Sequence, residues 1–136
     1  MRYLAIDYGS ARTGLAICDA DETLASPLTV LASGKNLLAR IGEIVAAEDV
    51  EGLVVGLPLN MDGSEGPQAQ KTKAFAGRLH AETGVPVHFQ DERLSSFGAA
   101  EKLGEMGLSR SKQRTRLDAV AAAEILQAFL DERGNC

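Results

Sequence analysis

The chain reads as an α/β protein: a five-stranded mixed sheet, an antiparallel meander followed by parallel strands, flanked by helices. Three observations predict it. Short β-permissive runs come first, separated by breaks of only a few residues, which is the spacing of hairpins. Helical stripes and apolar runs then alternate, as they do in crossover units. The run Leu53-Val54-Val55-Gly56-Leu57 is too apolar for a half-exposed strand and has the composition of one buried on both faces of a parallel sheet.

Each element has its own signal. Residues 2–7 are short, apolar and strand-like, and the turn-rich string Gly9-Ser10-Ala11-Arg12-Thr13-Gly14 follows. Residues 15–18 form a second strand, ended by Asp19-Ala20-Asp21-Glu22. A third spans 23–31, where Pro27 marks an edge or a bulge because it cannot donate to a ladder. In 36–47, Leu37, Leu38, Ile41, Ile44 and Val45 make the stripe of an amphipathic helix, with Asn36 as its cap. After the strand at 53–57, residues 68–83 form a helix with Phe75, Ala76 and Leu79 inward, closed by Gly84. Residues 85–89 give a fifth strand, 95–107 are weakly helical, the basic segment follows, and a last helix covers about 115–132. No internal repeat or low-complexity linker divides the 136 residues, so one domain, 1–136, is expected.

Composition narrows the function. Apolar residues are 45% of the chain and charged residues 24%, which are globular values. The net charge of −5 argues against a general nucleic-acid coat protein, which would be basic. It leaves room for an enzyme that meets a phosphate backbone locally, and Arg110, Lys112, Arg114 and Arg116 form a small basic run. Cys18 and Cys136 make no disulfide framework, and His80 and His88 stand alone, which argues against zinc. The first residues lack the sustained apolar region of a signal peptide, and no stretch has the length of a membrane span. A cytoplasmic protein without membrane contact is expected.

Three acids carry the chemistry. Asp7 ends an apolar strand, Glu92 follows another, and Asp118 shares a helix face with Ala122, Ile125 and Phe129. A carboxylate in such a place is costly unless compensated, and three converging carboxylates can cage one or two divalent cations. Each acid also has a plainer reading. Asp7 can open a turn in which Gly9 supplies a positive φ. Glu92 can be a solvated loop acid paired with Arg93. Thr115-x-x-Asp118 matches a capping box. The small residues of 9–14 let a phosphate approach the backbone, with Arg12 as a charged partner. The loop Asn60-Met61-Asp62-Gly63-Ser64-Glu65-Gly66-Pro67 leads into a helix whose first N–H groups can hold an anion, or is an ordinary turn-rich connection.

Assembled, these strings resemble the YqgF/RuvX family, described as Holliday junction resolvases or ribosomal RNA precursor nucleases. The matches are Asp7-Tyr8-Gly9 with Arg12-Thr13-Gly14, the run from Gly56 to Ser64, Asp91-Glu92-Arg93-Leu94-Ser95, and Asp118 with Ala121-Ala122 and Ile125-Leu126-Gln127. They span nearly the whole chain in order. Thr13 stands where an Ile is common, and Ser95-Ser96 where Thr-Thr is common, and neither departure removes a charge. The resemblance implies an RNase H-like fold and Asp7, Glu92 and Asp118 as catalytic, metal-binding carboxylates. It implies Mg²⁺, with Mn²⁺ able to substitute, and phosphate contacts from Arg12, Asn60, Ser64, Arg93, Lys112, Arg114 and Arg116. The implied activity is metal-dependent phosphodiester hydrolysis at the 5′ end of precursor small-subunit ribosomal RNA. The alternatives are resolution of branched DNA at Holliday junctions, or a weakly active nucleic-acid-binding role in ribosome assembly or transcription. The implied partner is structured RNA or branched DNA, met by a monomer or a homodimer. Asp7-x-Gly9 also opens the phosphate loop of actin-like ATPases, but those need a duplicated fold, and this chain has room for one half.

Overall fold

Tyr3–Tyr8 forms β1 at the centre of the sheet because its alternate residues are apolar on both faces: Tyr3, Leu4, Ala5 and Ile6 are all buried. β2 (Arg12–Cys18) returns antiparallel to β1, and β3 (Ala25–Ala32) antiparallel to β2. β4 (Gly52–Leu57) and β5 (Val87–Asp91) add parallel to β1 on its other side, giving the order β3-β2-β1-β4-β5. This is the expected meander followed by parallel strands. The computed structural model describes residues 1–19, 21–91 and 110–134, with side chains from 119 to 133 in the last stretch.

The two faces are covered differently. α1 (Leu37–Ala47) and α2 (Pro67–Thr83) lie side by side on one face. There Leu37, Ile41, Val45, Phe75, Ala76 and Leu79 pack on Leu4, Ile6, Leu15, Leu53 and Val55. On the other face, α3 (Arg110–Gly134) presses Ala122, Ile125, Leu126, Phe129 and Leu130 onto Tyr3, Ala5, Ala16 and Val54. Ala on Ala at that contact lets the helix sit close to the strands, as the small residues of its sequence suggest. Pro27 falls on an edge strand as expected, and the ladder slips beside it, between Leu15 and Ala16.

Several boundaries move. Asn36 takes the N-cap position of α1 without a side-chain capping bond, so the helix start rests on burial of Leu37 rather than on a cap. Gly84 does close α2 in the left-handed region, φ 74°, its N–H reaching the His80 carbonyl. β5 begins and ends two residues later than expected: it pairs Val87 with Leu53 and Asp91 with Leu57. α3 begins at Arg110, so the basic run lies inside the helix rather than before it. Thr115 and Asp118 are therefore interior helical positions, and no capping box forms there. Glu92, Arg93 and the weak helix expected over 95–107 lie outside the described residues.

Candidate active site

Asp7 is the penultimate residue of β1, half-buried, at the end of the sheet where β1, β4 and β5 all terminate. Ligands gather at that end in open parallel sheets because loops there diverge from a fixed scaffold. Strand alternation decides its face. Tyr3 and Ala5 face α3, so Asp7 faces α3 as well. Its neighbour across β2 is Gly14. On β4 the register ends at Ile6 with Val55, so the next position beside Asp7 is Gly56. Neither flanking residue carries a side chain beyond its Cα.

Arg12 lies on the same face, two residues before Gly14 in β2 and half-buried. As a diagonal cross-strand neighbour its Cα is roughly 7–8 Å from that of Asp7, within reach of a long side chain. Gln90 completes the row on β5, paired with Gly56 and 9% exposed. Its Nε2 donates to Glu132 Oε1 of α3 at 3.2 Å. α3 carries position 118 one turn before Ala122, which is fully buried against the sheet. Of the three acids, the structure thus describes Asp7 in full and the helical backbone at 118. The side chains of Asp118, Lys112, Arg114 and Arg116, and all of Glu92 and Arg93, lie outside the described residues.

The turn after Asp7 is fastened from a residue with no sequence signal. Ser33, leaving β3, donates its hydroxyl to the Gly9 carbonyl at 2.7 Å, and its N–H to Ala11 O at 3.0 Å. The Ser33 hydroxyl also meets the hydroxyl of fully buried Thr13 at 2.8 Å. Gly9 is needed here for space, not for a positive φ: a Cβ would stand 2.5 Å from the Arg12 carbonyl oxygen. On the other face Tyr8 stacks on Phe75 of α2, ring centroids 4.0 Å apart and 6° from parallel. Asp7 thus sits between residues pinned on both faces.

The loop after β4 is knit internally. Asn60 N–H donates to Ser64 O at 2.9 Å and Asn60 Nδ2 to Ser64 Oγ at 3.0 Å. Ser64 N and Oγ both donate to Asp62 Oδ1, at 2.9 and 2.6 Å. Gly63 makes the bend with φ 89°. Asn60 and Ser64 therefore shape the loop, while Pro67 opens α2 as expected. Among the described residues, no group of three or more His, Cys, Asp or Glu could hold a metal ion. Asp7 itself suits a hard divalent cation: it is a half-buried oxygen donor whose directly paired neighbour on β2 is a glycine.

A family model described as RuvX, Holliday junction resolvase, matches residues 1–132. The chain belongs to the RuvX family. Among its relatives, a protein of Anaeromyxobacter dehalogenans (strain 2CP-1) is 48% identical over 98% of both chains. One of Moorella thermoacetica is 47% identical over 98% of this chain and 97% of the other. Both are provisionally named pre-16S rRNA nuclease. The fold is that of RuvC-type, RNase H-like resolvases. Thermus thermophilus RuvC, solved with a Holliday junction substrate, superposes with a TM-score of 0.59 at 22% identity, covering 98% of this chain and 96% of that one. Fowlpox virus Holliday junction resolvase gives 0.58 at 13%, covering 97% and 99%. RuvX members are thus hydrolases of phosphodiester bonds, and nucleases of this fold generally work with divalent metal ions.

Proposed function

We propose that this RuvX protein, acting through one domain over 1–136, cleaves precursor 16S ribosomal RNA with Asp7 as its central carboxylate. The observation that supports it most is the setting of Asp7: a half-buried acid at the shared end of β1, β4 and β5, flanked by Gly14 and Gly56. Asp7 would hold Mg²⁺, or Mn²⁺ in its place, together with Glu92 and Asp118. The bound cation would polarise the scissile phosphate and acidify the attacking water. Arg12, across the strand pair from Asp7, would hold a phosphate oxygen through its guanidinium fork. The 110–116 run, carried on α3, would contact flanking phosphates through Lys112, Arg114 and Arg116. Asn60 and Ser64 would act by keeping the β4–α2 loop shaped for a neighbouring phosphate, and Arg93 would join them from the segment after β5.

The relatives' names favour ribosomal RNA as substrate, and the resolvase likeness keeps branched DNA as the second reading. The test uses the full chain with Mg²⁺ on a precursor 16S 5′ fragment and on a four-way DNA junction. Asp7→Asn should lower cleavage at least ~10²-fold with folding intact. Equal cleavage by both proteins would defeat the assignment, and cleavage of the junction alone would select the second reading.

A further inference from the structure

We infer that the groove between α2 and β5 is a binding site for a single-stranded stretch of polynucleotide, with Phe89 as the platform for a base. The inference deepens the nuclease reading and rests on it for the identity of the bound strand. The groove encloses about 480 Å³ and is lined by Lys73, Ala76, Gly77, His80, Val87 and Phe89. Phe89 leaves 41% of its surface open, although its alternate neighbour Val87 packs on the core. The α2 wall opposite is low: apart from the helix's own backbone and its chain neighbours, no atom of the described residues lies within 4 Å of where a Cβ on Gly77 would be. An exposed aromatic ring lining an open groove can take any base face, and stacking of this kind binds single strands without reading sequence.

Charge favours a polynucleotide over a peptide or a second copy of the chain. The protein carries a net −5, yet among the described residues no carboxylate lines this groove, and the polar ones that do are Lys73 and His80. Lys73 pairs with Glu65, which stands outside the lining, so a phosphate would compete with that carboxylate for the ammonium. The His80 Nδ1 meets the Val85 carbonyl at 2.9 Å. A carbonyl only accepts, so Nδ1 carries the proton, and Nε2 of the neutral ring is left to accept from a ribose hydroxyl.

Continuity with the candidate site gives the groove its use. Phe89 is adjacent in β5 to Gln90, which lies on the row of Asp7, and the two point to opposite faces. Among the described residues β5 is the outer strand of the sheet. A strand leaving the cleavage position can therefore pass round the β5 edge into the groove. A groove of about 480 Å³ has room for single bases rather than for a duplex, so it would select substrates with an unpaired flank.

The test measures fluorescence anisotropy of a labelled oligouridylate and of a hairpin duplex of equal length, with the full chain and no divalent metal. Phe89→Ala should weaken oligouridylate binding by about fivefold or more and leave duplex binding unchanged, and Phe89→Tyr should restore it. Phe89→Tyr should melt with the native chain, and the partial exposure of the ring should keep Phe89→Ala folded at the temperature of the assay. Unchanged oligouridylate affinity in Phe89→Ala would overturn the inference. So would a change in sedimentation alone, which would mark the groove as a contact between copies. Phe89-dependent binding in a protein that cleaves nothing would sink the nuclease reading and leave the groove standing.

Discussion

Thr13 donates its hydroxyl proton to Ser33, Oγ1 to Oγ 2.8 Å, and the direction follows from the third member of the chain of bonds. Ser33 has one hydroxyl proton, and it goes to the Gly9 carbonyl, which can only accept. Thr13 must then be the donor. An Ile at 13 would fill the space but could not hydrogen-bond. Here a fully buried hydroxyl is satisfied by a serine twenty residues away, and the pair fastens the turn that follows Asp7.

Ser33→Ala should therefore cost about 1–3 kcal/mol, since it leaves the Thr13 hydroxyl and the Gly9 carbonyl without their partner. Thr13→Val in the same background should cost much less than it does alone, because the partner it abandons is already gone. Urea denaturation of the four proteins of this cycle measures both values. Additive losses would show that the two hydroxyls do not act together.

Gly9→Ala should destabilise by about 1–3 kcal/mol through collision with the Arg12 carbonyl, 2.5 Å from the new methyl. Relief requires the turn to shift, and Asp7 and Arg12 flank that turn. Cleavage should then fall by more than the lost folded fraction explains. Activity and thermal melting on the same samples separate the two effects.

Phe75→Ala should cost about 3–5 kcal/mol, since the ring is 5% exposed and lies in the core between α2 and the sheet. It also frees the Tyr8 ring from its stack. Tyr8→Phe keeps the stack and should keep stability within about 0.5 kcal/mol. Chemical denaturation distinguishes the pair.

Alkaline pH should weaken the fold through Tyr3. Burial raises its phenol pKa above the ordinary value, against a smaller opposing pull from the Arg133 guanidinium, which lies 5.3 Å over the ring. The folded state keeps its proton where the unfolded chain has lost it, so the unfolded state binds fewer protons and stability falls as pH rises. The contribution is complete below about pH 10 and is lost as pH climbs through the ordinary value towards the raised one. Urea midpoints from pH 8 to 11 should drop more for the native chain than for Tyr3→Phe.

The antiparallel meander, the parallel strands after it, both helix faces and the edge position of Pro27 were legible because apolar periodicity reports burial directly, whereas the place of β5, expected at the sheet centre from its apolar run, is the outer one among the described residues. Two features escaped for physical reasons. β5 is displaced because Pro86 has no N–H to give a ladder: its carbonyl accepts from Leu53 N–H, but pairing proper starts at Val87 and runs on into polar Gln90 and Asp91. α3 starts early because Arg110 to Arg116 has no apolar stripe, yet Arg, Lys and Gln are good helix formers. In the site, Asp7 and Arg12 were named from local motifs. Ser33, Gly14 and Gly56 owe their roles to cross-strand register, which no motif near them expresses.

At 25 residues α3 is a rod about 37 Å long. Its far end is gripped by rings: Phe129 meets Tyr3 edge to face at 5.1 Å, and Arg133 lies over both. With Ala122, Ile125 and Leu126 seated on the sheet as well, any slip along the axis carries the whole rod with it. Trimming the final two turns, or burdening them with a tag, would thus misalign residue 118 from three turns away.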